Sequence, residues 1–308
     1  LNIAALPYVM LLAFFFGSSL VVSRFSIGQF EPTTYIGIRM ILSSMLALLV
    51  YAVATGRRLP RDPELWKRAG LLGIFGTALP MTCAVSSLQY QSSGVTSLLL
   101  ATGPPLTVLL AHFLLPDEVL NRRQVFGVAL ALSGALVLAL SGENGLPDVS
   151  EASPTGYLLA ISATVCGAVM VIYARKHLRA YDSYDVGSIR IMTTAATVMP
   201  LSVLTVGFDL SEVDSAGLIA LLYSALVGTF LGLLLSFYNV KRFGATPAMM
   251  TTYIIPIVAG VGGVLFLGEE ITSAMLIGMV VIIGGIALLQ EFRKPTGLLR
   301  RFPHRGSY

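Results

Sequence analysis

The runs of apolar residues constrain this chain more than any other feature; they recur as blocks of roughly twenty, separated by short polar breaks. A helix needs about 20 predominantly apolar residues to cross about 30 Å of hydrocarbon at 1.5 Å per residue. Inside a bilayer every backbone N–H and C=O must be bonded within the protein, so such unbroken blocks read as helices. Ten spans can be marked, at about 6–23, 33–54, 70–89, 95–115, 124–141, 156–174, 186–207, 216–239, 246–267 and 272–290. The breaks are polar or turn-forming, as at Thr55-Gly56-Arg57-Arg58, Ser141 to Pro154 and Phe208 to Glu212. Charged residues make up 12% of the chain, against about 25% in soluble domains. The fold class is therefore an all-α membrane protein. Cys83 and Cys166 fall inside apolar blocks and read as small buried residues rather than a disulfide. No basic segment precedes the first span and no cleavage-type site follows it, so a cleaved signal peptide is not expected.

The net charge of +4 does not point to nucleic acid, because the basic residues sit between spans. With a cytoplasmic N-terminus, the even-numbered loops and the tail hold 17 of the 20 Lys and Arg residues. The opposite loops hold only Arg24, while Arg39 and Arg190 lie inside spans. This bias predicts that both termini face the cytoplasm.

Self-comparison at an offset of 151 aligns Arg24 with Arg175, Arg39 with Arg190 and Pro105 with Pro256. It also aligns Glu118 with Glu269, Gly127 with Gly278 and Gly134 with Gly285. Apolar coincidences would mean little here, but matched Arg, Pro and Glu define a repeat. Residues 1–145 form the first repeat, 146–155 a periplasmic linker, 156–290 the second repeat and 291–308 a basic cytoplasmic tail suited to anionic lipid. Five spans per repeat is an odd number, so the second half must run upside down relative to the first. Inverted repeats of this kind belong to secondary transporters, which bind their substrate near the midplane at the repeat interface.

The residues that carry the repeat resemble a known family. Gly94-Val95-Thr96-Ser97-Leu98-Leu99-Leu100, Pro105, Glu118 and Gly127 resemble the EamA-type repeat of the drug/metabolite transporter superfamily. So do Gly244-Ala245-Thr246-Pro247-Ala248-Met249-Met250, Pro256, Leu267-Gly268-Glu269-Glu270 and Gly278, with Gly17-Ser18 and the Pro32-to-Arg39 spacing in support. Within that family the chain is most similar to YddG-like amino-acid exporters, and it departs in having Phe16 where many relatives carry Trp. The resemblance implies a ten-helix basket in which spans 1, 3, 4, 6, 8 and 9 enclose a central cavity. Spans 5 and 10 would support it at the periphery, and the helix pairs 3–4 and 8–9 would rock.

Arg39 and Arg190 are the costliest residues, at about 2.5–3.5 kcal/mol for Arg at a helix centre. They read as ligands for a substrate carboxylate or as members of a gating switch, the alternative being arginines that snorkel from near their helix ends. Glu118 and Glu269 precede spans 5 and 10 and read as helix-terminal acids rather than proton carriers. Pro105 and Pro256 lie near the middle of spans 4 and 9, where proline kinks a helix and frees carbonyls that can line a cavity. Ser18, Ser19, Ser86, Thr102, Thr164, Tyr173, Asn239, Thr252 and Tyr253 are the polar candidates for the substrate cavity. Each Ser or Thr among them has the competing role of bonding its own helix. His112 is the only histidine within a span and the candidate for proton coupling. Gly228 and Gly232 form a small-residue pair that suits packing within one bundle before a dimer interface.

These features predict a secondary transporter exporting small amphipathic metabolites, amino acids foremost and aromatic ones included, by alternating access. An exporter of drugs or nucleobase-like metabolites, or a facilitative channel, is the alternative. No P-loop and no catalytic motif at depth occurs, so neither ATP hydrolysis nor an enzyme is expected. No metal or cofactor is called for. The partners expected are a small-molecule substrate and the bilayer, without nucleic acid, and the chain is read as a monomer with a dimer as the alternative. Orientation is testable with single cysteines replacing Pro147 and Leu178: the first should react with an impermeant maleimide from outside, the second only after permeabilisation.

Overall fold

The computed structural model describes residues 3–115, 118–147, 153–243 and 245–289, with the backbone alone at 3 and 245–249. Its helices are α1 (Leu6–Ser26), α2 (Pro32–Val53), α3 (Pro63–Ser87), α4 (Ser93–Leu114) and α5 (Arg122–Ser141), then α6 (Pro154–His177), α7 (Ser183–Thr205), α8 (Ser215–Phe243), α9 (Ala245–Leu267) and α10 (Ser273–Leu289). Among the described residues nine helices are long and apolar enough to cross a membrane, and α10 is a shorter apolar helix. The expected tail at 291–308 lies outside the described residues.

Local chemistry sets where these helices begin. Pro32, Pro63 and Pro154 open three of them, at the first helical position where a missing N–H costs nothing. Asp62, Ser92, Asp182 and Asp214 accept backbone N–H groups of the following turn, and Asn121 with Gln124 forms a reciprocal capping box. The Asp62 cap explains the largest boundary error of the sequence reading. Hydropathy starts the third span near residue 70, but the helix starts at Pro63 and carries the polar Glu64, Lys67 and Arg68 in its first turns.

The helix contacts repeat under exchange of the two halves. α1 packs on α9 and its counterpart α6 packs on α4, while α2–α7 and α5–α10 pair each helix with its own counterpart. The third helix of each half leans on the second helix of the other, α3 on α7 and α8 on α2. This reciprocity is the two-repeat architecture, with one half inverted. The loops following α2, α4 and α6 form the basic end of the bundle, and those following α1, α3, α5, α7 and α9 form the opposite end.

α5 and α10 cross at backbone distance. A Cβ on Gly127 would lie 2.7 Å from the Gly285 carbonyl oxygen, and one on Gly285 would run into the Ala131 backbone. Gly134 meets Ile282 in the same way. Small residues allow this close approach, which membrane helices use in place of a hydrophobic drive. Gly228 and Gly232 of α8 face Ser19 and Phe16 of α1, so this small-residue pair packs inside the bundle. Cys83 and Cys166 are free and half-buried rather than fully buried. Leu178 is buried, so the labelling position on the basic end is better moved to the exposed Arg179.

Gly285→Val should lower stability in detergent by roughly 1–3 kcal/mol, the usual cost of overpacking. Gly167→Ala, where an added Cβ meets nothing within 4 Å, should leave it nearly unchanged. Thermal unfolding of the two purified variants followed by size-exclusion distinguishes them.

Candidate functional site

The third helix of each half is not a regular α-helix. Its middle widens into a π-helical segment, Ile74–Ala78 in α3 and Ser224–Leu231 in α8. Shifted by the repeat offset, 74–78 falls at 225–229, inside the second segment. Such segments leave backbone and side-chain groups out of the regular ladder and concentrate at functional sites. In α3 the cause is readable: Pro80 has no N–H to give the carbonyl of Gly76, four residues back. In α8 the Thr229 hydroxyl donates to the Ser224 carbonyl at 3.1 Å, and the Ser43 hydroxyl of α2 donates to the Ala225 carbonyl at 3.0 Å.

The two intramembrane arginines are bonded to these segments, each across the repeat boundary. Arg39 of α2 donates its Nε–H to the Thr229 hydroxyl at 2.8 Å. Its Nη2 and Nη1 donate to Ser19 at 2.9 Å and Ser23 at 3.2 Å, both on α1. Arg190 of α7 donates from Nε to the Thr77 hydroxyl and from Nη2 to the freed Gly76 carbonyl at 2.8 Å. Arg39 is only 5% exposed and held by three hydroxyls, so it does not snorkel to a helix end. No ion pair is formed by either arginine among the described residues.

Both guanidinium groups face one cavity of about 550 Å³ between the halves. Its polar lining residues are Ser19, Ser23, Arg39, Thr77, Ser97, Arg190, Thr229, Ser236 and Thr252. Its apolar lining residues include Phe16, Leu20, Met40, Met81, Leu100, Ile191, Leu233, Phe237 and Ile255, and no Asp or Glu lines the cavity among the described residues. The lining comes from helices 1, 2, 3, 4, 7, 8 and 9. Helix 6, which the family resemblance placed on the wall, contributes nothing, and helices 2 and 7 take part because their arginines reach inward.

Among the polar candidates, Ser19 and Thr252 line this cavity. Several of the others serve backbone groups: Ser18 donates to the Phe14 carbonyl at 2.5 Å and meets the Tyr223 hydroxyl at 2.8 Å. Thr102 donates to the Leu99 carbonyl at 2.6 Å and Thr164 to the Ala160 carbonyl at 2.8 Å. Asn239 donates to the Tyr8 carbonyl at 3.2 Å, Tyr173 stacks on His177 with ring centroids 4.8 Å apart, and Ser86 is half-buried outside the lining. Tyr253 packs against the core between α4, α5 and α10. α4 is interrupted at Ala101-Thr102, directly before Gly103-Pro104-Pro105, with Pro105 buried and Pro104 on the cavity wall. Pro256 is buried inside α9. His112 lies towards the basic end of α4, outside the lining, with Nδ1 3.1 Å from the Glu118 carbonyl oxygen.

Glu269 does meet a helix N-terminus, though not that of the span it precedes. Its carboxylate accepts the backbone N–H of Ser93 at 2.9 Å and the Ser93 hydroxyl at 2.7 Å, at the start of α4 in the other half. Burial pushes the Glu269 carboxyl up from its ordinary value, while the Ser93 donors and the neighbouring Arg24 pull against that rise. Its repeat counterpart Glu118 pairs with Arg175 at 2.6 Å, with both side chains largely exposed. The sequence reading missed Thr77, Thr229 and Ser93 as partners, and Pro80 inside an apolar block was the one available signal for the first.

The EamA-like transporter family matches residues 3–140 and 154–290, one match on each half of this pseudo-symmetric bundle. The chain belongs to that family. It is 26% identical over 286 residues to a "Probable amino-acid metabolite efflux pump" of Salmonella typhimurium, covering 90% of this chain and 91% of that protein. The Escherichia coli protein of the same description is 24% identical, covering 90% and 91%. A Bacillus subtilis protein described as the uncharacterized transporter YyaM is 24% identical, covering 91% and 92%. A solved crystal structure superposes with a TM-score of 0.65 at 21% identity, covering 91% of this chain and 94% of the other, which shows the shared fold.

Thr229→Val should cost roughly 1.5–3 kcal/mol, the range for a hydrogen bond to a charged group, whereas Thr229→Ser should retain most of the stability. Chemical unfolding of both variants in detergent tests whether the Arg39 bond is structural.

Proposed function

We propose that this EamA-like transporter exports small amphipathic metabolites of the amino-acid type by alternating access, in a bacterial inner membrane with both termini cytoplasmic. The observation that carries this reading is the cavity between the halves, lined by two arginines, hydroxyl side chains and apolar side chains. A cavity of about 550 Å³ is within the usual range for small-molecule sites, about 300–1,000 Å³. Arg190 has only two of its five N–H donors engaged in hydrogen bonds among the described residues, which leaves capacity for a carboxylate. Phe16, Phe237, Met81 and Leu100 suit the apolar side chain of the same molecule.

The lining also separates the rivals. Cationic drugs would ask for a carboxylate or an aromatic cage, and no acidic residue lines the cavity among the described residues. Relatives described as amino-acid metabolite efflux pumps, at 26% and 24% identity, support an exporter. An exporter works by exposing this one site to each side in turn, and the reciprocal arginine bonds let each half hold the other while it does so.

The test is uptake into proteoliposomes from a panel of labelled amino acids, nucleosides and cationic drugs. Saturable flux of amino acids, with counter-flow on loading unlabelled substrate, is the expected result. Flux insensitive to counter-substrate would instead identify a channel, and saturable flux of cations alone would sink the amino-acid reading. Arg190→Gln should raise KM for carboxylate substrates by about tenfold or more, the worth of one charge-assisted bond. A folded Arg190→Gln protein with unchanged KM would remove Arg190 from substrate contact.

A further inference from the structure

The offset that makes Arg39 and Arg190 counterparts also makes Arg24 the counterpart of Arg175 and Glu118 that of Glu269. Because one half is inverted, Arg24 of the first half lies near Glu269 of the second at one end of the bundle. Arg175 of the second half lies near Glu118 of the first at the basic end. The two pairs are in different states. Arg175 and Glu118 form an ion pair at 2.6 Å. Glu269 is instead 5% exposed and bonded to Ser93 through both carboxylate oxygens. Arg24 is left with its Nε buried and without a hydrogen bond among the described residues. Between them lies a pocket of about 290 Å³, walled by Arg24, Phe25, Gly28, Leu146, Leu267 and Glu269.

The seat that holds Glu269 is built for it. Gly268 takes a left-handed turn at φ 67°, and Gly263 of α9 has no side chain where any Cβ would strike the Glu269 carboxylate. Around this seat the two halves are fastened together. Glu270 donates its N–H to the Gly145 carbonyl at 3.0 Å, and within the first half Ser92 donates its N–H to the Asn144 carbonyl at 2.8 Å. The Ser93 hydroxyl is also 3.1 Å from the Ala259 carbonyl oxygen of α9. At the basic end the residue at the position of Gly263 is His112, whose ring reaches the backbone of the Glu118 loop. Glu118 has no glycine seat, and it is found on its arginine.

We propose that Glu269 is a two-position latch for transport. Bonded to Ser93 it holds α4 against α9 and closes the end away from the basic loops. Swung onto Arg24, the pairing its counterpart Glu118 already makes with Arg175, it releases α4 and opens that end. Glu269 touches no substrate in this scheme and acts as a positioning residue. The inference rests on the alternating-access reading above.

Opposed substitutions test it. In a Cys83→Ser/Cys166→Ser background, Ala84→Cys places a thiol on the cavity wall, and its labelling by an impermeant maleimide from outside reports opening of that end. Ser93→Ala removes a partner of the closed position and should speed labelling by about tenfold. Gly263→Ala crowds the carboxylate out of its seat and should act in the same direction, which covers the case that Ser93→Ala fails to fold. Arg24→Gln removes the partner of the open position and should slow labelling by a similar factor. Shifts in the same direction for Arg24→Gln and the other two variants, or no shift in folded proteins, would overturn the latch. The reading beneath it fails differently: labelling of the unmodified latch from both sides, indifferent to substrate, would count against alternating access itself.

Discussion

An Arg at the centre of a membrane helix costs about 2.5–3.5 kcal/mol on insertion scales, and this bundle holds two arginines inside membrane helices, Arg39 buried and Arg190 half-buried, with no ion pair to either among the described residues. The arrangement is stable because neutral acceptors are brought to the charge. Thr77 and Gly76 serve Arg190, and Thr229, Ser19 and Ser23 serve Arg39. Gly76, Thr77 and Thr229 lie in the π-helical turns of α3 and α8, at matching places in the two halves, while Ser19 and Ser23 come from α1. Much else follows from this constraint. The second helix of each half must lie beside the third helix of the other, which fixes the α2–α8 and α7–α3 contacts and encloses the cavity at the seam.

The sequence made the number of spans, their order and the repeat legible, because bilayer thickness and backbone satisfaction leave few other readings of such blocks. Arg39 and Arg190 stood out for the same reason, a charge where charge is expensive. Their partners did not. Thr77 and Thr229 look like any threonine in an apolar block, and only the π-helical turns bring them to an arginine far away in the chain. Among the polar candidates, Ser18, Thr102 and Thr164 are engaged with carbonyls three or four residues back, a local option that sequence cannot rank against a cavity-facing one. Glu269 is instructive in another way. The rule that acids suit helix N-termini holds for it, but the helix belongs to the other half of the molecule, and only the tertiary fold could say which.

The pseudo-symmetry is closest where the helices need it and looser where they do not. Gly127 and Gly134 against Gly278 and Gly285 keep the α5–α10 crossing at backbone distance on both sides of the pseudo-twofold, so neither half can drift without prising the other. Pro80, by contrast, has no proline counterpart at 231, and hydroxyl-to-carbonyl bonds accompany the wider turn there. Two different local solutions thus reach the same widened helix.

The substitution at a single repeat position, Gly263 in one half and His112 in the other, has a kinetic meaning. Two identical inverted halves would make the two faces of the protein mirror states of equal free energy, and the unloaded carrier would rest on either face equally. An imidazole where the other half seats the Glu269 carboxylate is one of the differences that break this equality. Under the proposed alternating access, such an inequality between the halves would give the empty carrier a preferred resting face before any gradient acts on it.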